Sequence, residues 1–229
     1  MNPRISGISS MATRQLLAEL VDEYQRQGGA AVSFESVGGV DAARRVQGGE
    51  AFDLVVLAAD AIDKLATAGA VVAGSRVDIV RSAVAVAVRA GAPRPDISTP
   101  DALRHAVLAA RTLGLSSGPS AVALLKLFDR WGISDTLRSR IVQAPPGVPV
   151  GALVASGEVE LGFQQLSELM HLGGIDLLGP MPPDVQIVTT FSAARCTTCK
   201  QPERVAALLE FMNSPAAAGA KRRHGMQPA

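Results

Sequence analysis

The stretch VSFESVGGVDAARRVQGGEAFDLVVLAADAIDKL, residues 32–65, decides the fold. Short apolar runs alternate in it with segments whose apolar residues recur at helical spacing, and glycine pairs separate them. The pattern predicts strands at 31–35 and 53–58 and helices at 40–47 and 61–68. The run DLVVLA is almost entirely apolar, which is typical of a parallel strand covered by helices on both faces.

The same alternation extends in both directions along the chain. Further strands are predicted at 4–8, 84–88, 113–115, 141–143, 159–164, 175–178 and 186–191. Further helices are predicted at 11–26, 99–110, 121–131, 150–156, 202–213 and 215–223, with a short helix or turn at 165–170. Strands and helices that alternate with short connections predict an α/β protein with mainly parallel sheets.

Composition excludes several classes of protein. The 229 residues include 22 Lys and Arg and 21 Asp and Glu, which gives a net charge of +1. Balanced charge argues against nucleic-acid binding, and only 3 % aromatic residues argue against base stacking. A hydrophobic fraction of 48 % argues against disorder. Phosphate-binding glycine loops and a hydrolase nucleophile elbow do not occur in the sequence.

Three serine-rich turns each join a predicted strand to a predicted helix. The start of a helix carries unpaired N–H groups and a partial positive charge, so small residues there favour anion binding. The alternative is that these serines are ordinary helix caps. The candidate ligand residues in the turns are Ser9 and Ser10, then Ser36, Gly38 and Gly39, then Ser116, Ser117 and Ser120.

Other polar residues near strand ends are weaker candidates. Arg81, placed just before the predicted strand VAVAV, could hold a carboxylate or be a solvated surface charge. Gln164 and Gln165 close an apolar strand and could bind a ligand or simply end the strand. Cys196 and Cys199 form a CxxC without a second ligand pair, so we expect no zinc site and favour an incidental pair over a redox one.

The sequence shows neither a membrane span nor a recognisable signal peptide. No apolar run approaches about 20 residues, and polar side chains interrupt residues 1–18. The chain as written is therefore expected in the cytoplasm, or in the periplasm if a leader has been removed. We expect no cofactor and no metal.

Several quoted stretches resemble the type II periplasmic solute-binding proteins of the molybdate-binding class. They are GISSMATRQLLAEL at 7–20, the opening stretch at 32–65, and FMNSPAAAGAKRRHGMQP at 211–228. Two more stretches are similar to the subgroup that includes aconitate isomerase. These are GSRVDIVRSAVAVAVRAGAPRPDISTPDALRHAVLAAR at 74–111 and GEVELGFQQLSEL at 157–169.

The resemblance implies a two-lobed fold, with 1–80 plus 192–229 in one lobe and 81–191 in the other. Two strands would cross at a hinge, and the ligand would lie between lobes that close on it. Matched to this sequence, the implied ligand-binding residues are Ser9 and Ser10, Ser36 with Gly38 and Gly39, Ser120, and the region of Pro149 and Val150. Gln165 falls where the molybdate proteins have a binding Tyr. The class further implies a monomer that delivers its ligand to an ABC transporter permease.

These observations predict a protein that binds a small anion, either an oxyanion such as molybdate or a di- or tricarboxylate. The alternative is an isomerase that moves a proton in an unsaturated tricarboxylate such as aconitate. In that case Arg81 and the serine turns would hold carboxylates. No residue pattern identifies the base, and Asp60 is a guess from its place after the DLVVLA strand. A DNA-linked ligand sensor is disfavoured because the chain shows no helix-turn-helix.

Overall fold

The computed structural model describes residues 4–145 and 147–229. It divides into two units. Unit 1 consists of Met1–Arg81 and Thr190–Ala229, and unit 2 consists of Ser82–Thr189.

Strands and helices alternate along most of the chain. The strands are β1 Ile5–Ser10, β2 Val32–Val37, β3 Leu54–Ala58, β4 Val77–Arg89, β5 Leu113–Leu115, β6 Ile141–Gln143, β7 Leu161–Gln165, β8 Ile175–Pro180, β9 Val188–Arg195 and β10 Met226–Pro228. The α-helices are α1 Arg14–Arg26, α2 Gly39–Gln47, α3 Ala59–Thr67, α4 Pro100–Ala109, α5 Pro119–Arg130, α6 Ser134–Leu137, α7 Val150–Ser156, α8 Leu166–Leu169, α9 Pro202–Asn213 and α10 Ala218–Arg223. Short 3-10 helices occupy Met11–Thr13, Pro183–Val185 and Pro215–Ala217.

Unit 1 is built around three parallel strands. β1 pairs in parallel with β2 on one side and with β3 on the other, and β9 pairs antiparallel with β3. Successive side chains of β3 enter different clusters: Leu54 and Val56 pack in one, Val55 and Leu57 in another. β3 therefore has an apolar cluster on each of its faces, as its unbroken apolar sequence predicts.

Unit 2 has a parallel group of its own. β5 pairs in parallel with β6 and with β7, while β4 pairs antiparallel with β7 and with β8. Glycine allows α7 to lie close to these strands. A Cβ atom on Gly114 would lie 2.7 Å from Cγ1 of Val150, and one on Gly162 would lie 2.5 Å from Cγ2 of Val154. A larger residue in either strand would therefore displace α7.

The structure differs from the sequence-based expectation mainly at β4. This strand runs from Val77 to Arg89, much further than the predicted 84–88, so Arg81 lies inside a strand rather than before one. The elements α6 and β10 were not predicted. Within the described ranges 4–145 and 147–229, no helix is long and apolar enough to cross a membrane.

Candidate functional site

The carboxyl ends of the parallel strands in unit 1 carry a pair of serine hydroxyls. The register of β1 and β2 places Ser9 beside Ser36. Their Oγ atoms lie 2.8 Å apart, a hydrogen bond in which either hydroxyl could donate. Ser9 is fully buried, and its Oγ also lies 3.3 Å from the carbonyl oxygen of Ser10. The sequence-predicted first and second turns therefore meet at one edge of the sheet.

Ser10 ends β1 and directly precedes the 3-10 helix Met11–Thr13. It is 7 % exposed, and its Oγ has no hydrogen-bond partner in the part of the chain that the structure describes. The alternative that Ser10 caps the helix with its side chain is wrong, since no such bond forms there. A buried hydroxyl without a partner costs about 1–3 kcal/mol, which a hydrogen bond to a ligand oxygen would offset.

Two glycines leave space at the same edge. Gly38 precedes α2, and a Cβ atom built on it would meet no described atom within 4 Å. A Cβ atom on Gly39 would lie 3.7 Å from Cβ of Ser10, so the start of α2 is close to the unpaired hydroxyl. The structure thus groups five predicted residues in unit 1: Ser9, Ser10, Ser36, Gly38 and Gly39.

The charged candidates of unit 1 do not show a comparable arrangement. Arg81 is exposed, and its Nη2 donates to the carbonyl oxygen of Pro228 at 3.2 Å. Asp60 lies in the first turn of α3 with its side chain 59 % exposed, and its carboxylate is 3.9 Å from Nζ of Lys64. Such exposed charges are screened by solvent. The roles assigned to Arg81 and Asp60 stay predictions.

In unit 2 the third serine turn follows β5. The Oγ atoms of Ser116 and Ser120 lie 3.3 Å apart, and the backbone N–H of Gly118 donates to Oγ of Ser116 at 3.4 Å. Ser120 is buried in the first turn of α5, whereas Ser117 is exposed. These bonds hold the turn at the start of a helix.

The glutamine pair ends the neighbouring strand, β7. Leu115 pairs with Phe163, so the turn after β5 and the end of β7 share one edge. Both glutamines are buried. Oε1 of Gln164 accepts the N–H of Gly151 at 3.3 Å, in the first turn of α7 where Val150 is the first residue. Nε2 of Gln165 donates to Oγ1 of Thr189 at 2.8 Å, and its Oε1 has no partner among residues 4–145 and 147–229.

The structure adds one titratable residue that the sequence analysis missed, Glu168. Its Oε2 accepts a hydrogen bond from Nε2 of Gln164 at 2.7 Å. Burial raises the pKa of Glu168 to about 7, although the hydrogen bond from Gln164 acts in the opposite direction. The two residues are four positions apart in sequence, Gln164 near the end of β7 and Glu168 in the short helix α8 that follows. A carboxyl group with a pKa near neutrality is typical of a proton-transfer site.

The cysteine pair has a different character. Cys196 is buried and Cys199 is partly buried, and both are free thiols. Burial raises the pKa of Cys196 to about 12 and also raises the pKa of Cys199. Both sulfurs are thereby kept protonated at neutral pH, which opposes reactivity as nucleophiles. The described residues contain no cluster of His, Cys, Asp and Glu able to hold a metal.

A surface cavity in unit 2 is lined by residues other than these candidates. Residues 94–98 and 178–183 line it. None of the sequence-predicted site residues contributes to this lining.

The fold is that of the type II periplasmic-binding proteins, as predicted. The periplasmic molybdate-binding protein of Azotobacter vinelandii matches it with a TM-score of 0.82 at 19 % identity, over 98 % of this chain and 99 % of the other. A sulfate-binding protein from Mycobacterium tuberculosis H37Rv matches with a TM-score of 0.76 at 16 % identity, over 99 % of this chain and 87 % of the other.

The chain matches one protein family over nearly its whole length. The family model described as "Bacterial extracellular solute-binding protein" matches residues 5–227, and the chain belongs to this family. An aconitate isomerase from Pseudomonas sp is 36 % identical to it, over 98 % of this chain and 87 % of that protein. Both parts of the sequence-based resemblance are thereby confirmed.

Proposed function

We propose that this chain binds a small anion through the strand-to-helix turns at the carboxyl ends of its parallel strands. The unpaired, buried hydroxyl of Ser10 carries the proposal, since it lies beside the start of α2 and next to the Ser9–Ser36 pair. Hydroxyl groups and helix N-termini donate to anions without a cationic side chain. A net charge of +1 fits a site that relies on such local donors.

A di- or tricarboxylate is the favoured ligand. The relative named aconitate isomerase is 36 % identical to this chain, whereas the molybdate-binding protein is 19 % identical and supports only the fold. In addition, Gln165 stands where the resemblance places a binding Tyr of the molybdate proteins. A site for a tetrahedral oxyanion is therefore incompletely matched.

Thermal-shift and calorimetric titrations with cis-aconitate, trans-aconitate, other tricarboxylates, molybdate, tungstate and sulfate test this proposal. Ser10→Ala and Ser36→Ala should each weaken binding of the preferred anion by about 1–3 kcal/mol, as for a lost partner of a buried charged group. Ser33→Ala is a matched control, because Ser33 lies on the same strand as Ser36 but is exposed. Unchanged affinity in both Ser10→Ala and Ser36→Ala would place the site elsewhere.

A second candidate function is an isomerase that moves a proton within an unsaturated tricarboxylate. The name of the 36 % identical relative favours it, together with the Glu168 carboxyl at the end of β7. Incubation with cis- or trans-aconitate, followed by chromatography, tests for interconversion. Turnover without a thermal shift by molybdate would exclude the oxyanion alternative, and stabilisation by molybdate without turnover would exclude the isomerase.

The remaining expectations concern location and assembly. The family description supports an extracellular or periplasmic location. That the chain acts as a monomer and delivers its ligand to an ABC transporter permease stays a prediction from the resemblance. Fractionation of cells that express the full natural gene would test the location, and light scattering would test the monomer. Closure of the two lobes by hinge motion stays a prediction.

A further inference from the structure

The carboxyl edge of unit 2 brings together groups from three segments of the chain. Ser116 follows β5, Gln164 and Gln165 end β7, and the pairing of Leu115 with Phe163 makes these ends neighbours. The bond from the N–H of Gly151 to Gln164 adds the first turn of α7. Ligands of open α/β sheets bind outside the carboxyl ends of the strands.

Hydrogen bonds fix Glu168 relative to this edge. Its Oε2 accepts from Nε2 of Gln164 at 2.7 Å, and Oε1 of the same glutamine accepts from Gly151. Both ends of the Gln164 amide are therefore occupied, and the amide orientation holds the carboxyl of Glu168 in place. Two other buried polar atoms nearby in sequence, Oε1 of Gln165 and Oγ of Ser167, lack partners in the described ranges.

We propose that the carboxyl group of Glu168 takes and returns the proton in an allylic shift of a bound tricarboxylate. The inference rests on the isomerase candidate above. The carboxylate removes a proton from the methylene carbon, and the C–H electron pair enters the allyl system that the substrate carboxylates flank. The Glu168 carboxyl, whose proton exchanges with solvent, then returns a proton to the former vinyl carbon. One C–H bond breaks and one forms, so no oxidant or reductant is needed.

The carboxyl group of Glu168 is suited both to accept a proton and to donate one. A group that must first accept and then donate a proton works best when its pKa lies near the working pH. Burial raises the pKa of this carboxyl to about 7. Both protonation states are consequently populated at neutral pH.

Asp135 offers a matched control for Glu168. It is a carboxylate of unit 2 in the short helix α6, and its side chain is 94 % exposed beside Arg138. Asp135→Asn makes the same acid-to-amide change as Glu168→Gln, at an exposed position in another element.

The test uses the full chain with cis-aconitate as the probe. Wild type should bind cis-aconitate, convert it, and incorporate deuterium into its methylene group in D2O, as followed by NMR. Glu168→Gln retains an oxygen that can accept from Gln164, so it should fold and keep its Kd within about 3-fold while turnover falls about 100-fold or more. Glu168→Asp should retain partial turnover, and Asp135→Asn should match wild type.

Four other outcomes would overturn the inference, and two of them would also overturn a proposed function. Full turnover by Glu168→Gln would overturn this inference and leave the isomerase function intact. A parallel loss of binding and turnover in a folded Glu168→Gln would also overturn it, because the residue would then act in binding. Wild type that binds cis-aconitate without turnover or exchange would overturn both the inference and the isomerase candidate. Wild type that does not bind it would overturn tricarboxylate binding as well.

Discussion

The parallel strands of the two units end in chemically different edges. In unit 1 the edge is made of hydroxyls and glycines, with the Ser9–Ser36 pair and the unpaired Ser10 beside the start of α2. In unit 2 the corresponding edge has serine hydroxyls too, but amides and the carboxyl of Glu168 accompany them. A similar strand-to-helix design thus carries neutral donors in one unit and a titratable group in the other.

This difference separates two tasks. Hydroxyls and backbone N–H groups do not titrate near neutral pH, so they hold an anion equally well over a wide pH range. Proton transfer requires a group that changes its charge in that range. We therefore expect binding to depend mostly on unit 1 and pH-dependent behaviour to come mostly from Glu168.

The largest expected effect is on the pH dependence of stability. Because the folded-state pKa of Glu168 is raised to about 7, the folded chain holds a proton there that the unfolded chain has lost. Stability from this group is complete below the unfolded pKa and is lost as pH rises through about 7. Glu168→Gln removes this loss, so at pH 8 it should be more stable than wild type by about 2–3 kcal/mol.

Urea unfolding followed by circular dichroism at pH 4.5 and at pH 8 measures the two free energies of unfolding. The gain from Glu168→Gln should appear at pH 8 and vanish at the lower pH. The exposed Asp135→Asn serves again as the control and should change stability by less than about 0.5 kcal/mol at both. An equal gain at both pH values would assign the effect to packing, and the contrast between the two edges would lose its electrostatic basis.

The next largest effect is on stability, and it depends on the free space beside a glycine in each unit. A Cβ atom on Gly151 would lie 2.5 Å from Cδ1 of Leu172 and 3.1 Å from Cδ2 of Leu169, whereas one on Gly38 meets no described atom within 4 Å. Gly151→Ala should destabilise the fold by about 1–3 kcal/mol. Gly38→Ala should cost only about 0.5 kcal/mol, the usual difference between glycine and alanine before a helix.

The affinity for the anion should respond to these two substitutions in the opposite order. An added methyl group at Gly38 occupies open space just before α2, where the proposed ligand would lie, so Gly38→Ala should weaken anion binding more than Gly151→Ala does. Thermal melts and calorimetric titrations of both variants provide the comparison. Equal losses of affinity would show that the ligand does not use the open space of unit 1.

The contrast also marks what local sequence could predict. The turn residues Ser9, Ser10, Ser36, Gly38 and Gly39 were found because strand ends and helix starts have local patterns, and parallel strands bring such ends together. The bounds of several elements could also be predicted from local sequence, since β5, β6, α7 and α9 match their predicted ranges. For the helices α7 and α9, apolar periodicity and flanking glycine or proline suffice.

Glu168 and Arg81 show where this approach fails. Nothing in the sequence LSEL indicates that its glutamate is partly buried, because burial depends on the packing of α8 against distant residues. The full length of β4 was missed for a related reason. Its polar residues Asp78, Arg81 and Ser82 break the apolar run, yet the strand continues through them because tertiary pairing stabilises it.

The smallest expected effect belongs to Arg81, the cation that the sequence analysis offered as a carboxylate holder. It is exposed and donates to the carbonyl of Pro228 at 3.2 Å. Arg81→Gln should therefore change the free energy of unfolding by less than about 0.5 kcal/mol. Any contribution to tricarboxylate affinity should be about 5-fold or less at low salt, and it should fade as salt screens the exposed charge. Calorimetric titration at two ionic strengths measures both quantities. A salt-resistant loss of two orders of magnitude would instead place Arg81 in a buried ion pair with the ligand, and the neutral edge of unit 1 would then not be sufficient to hold the anion.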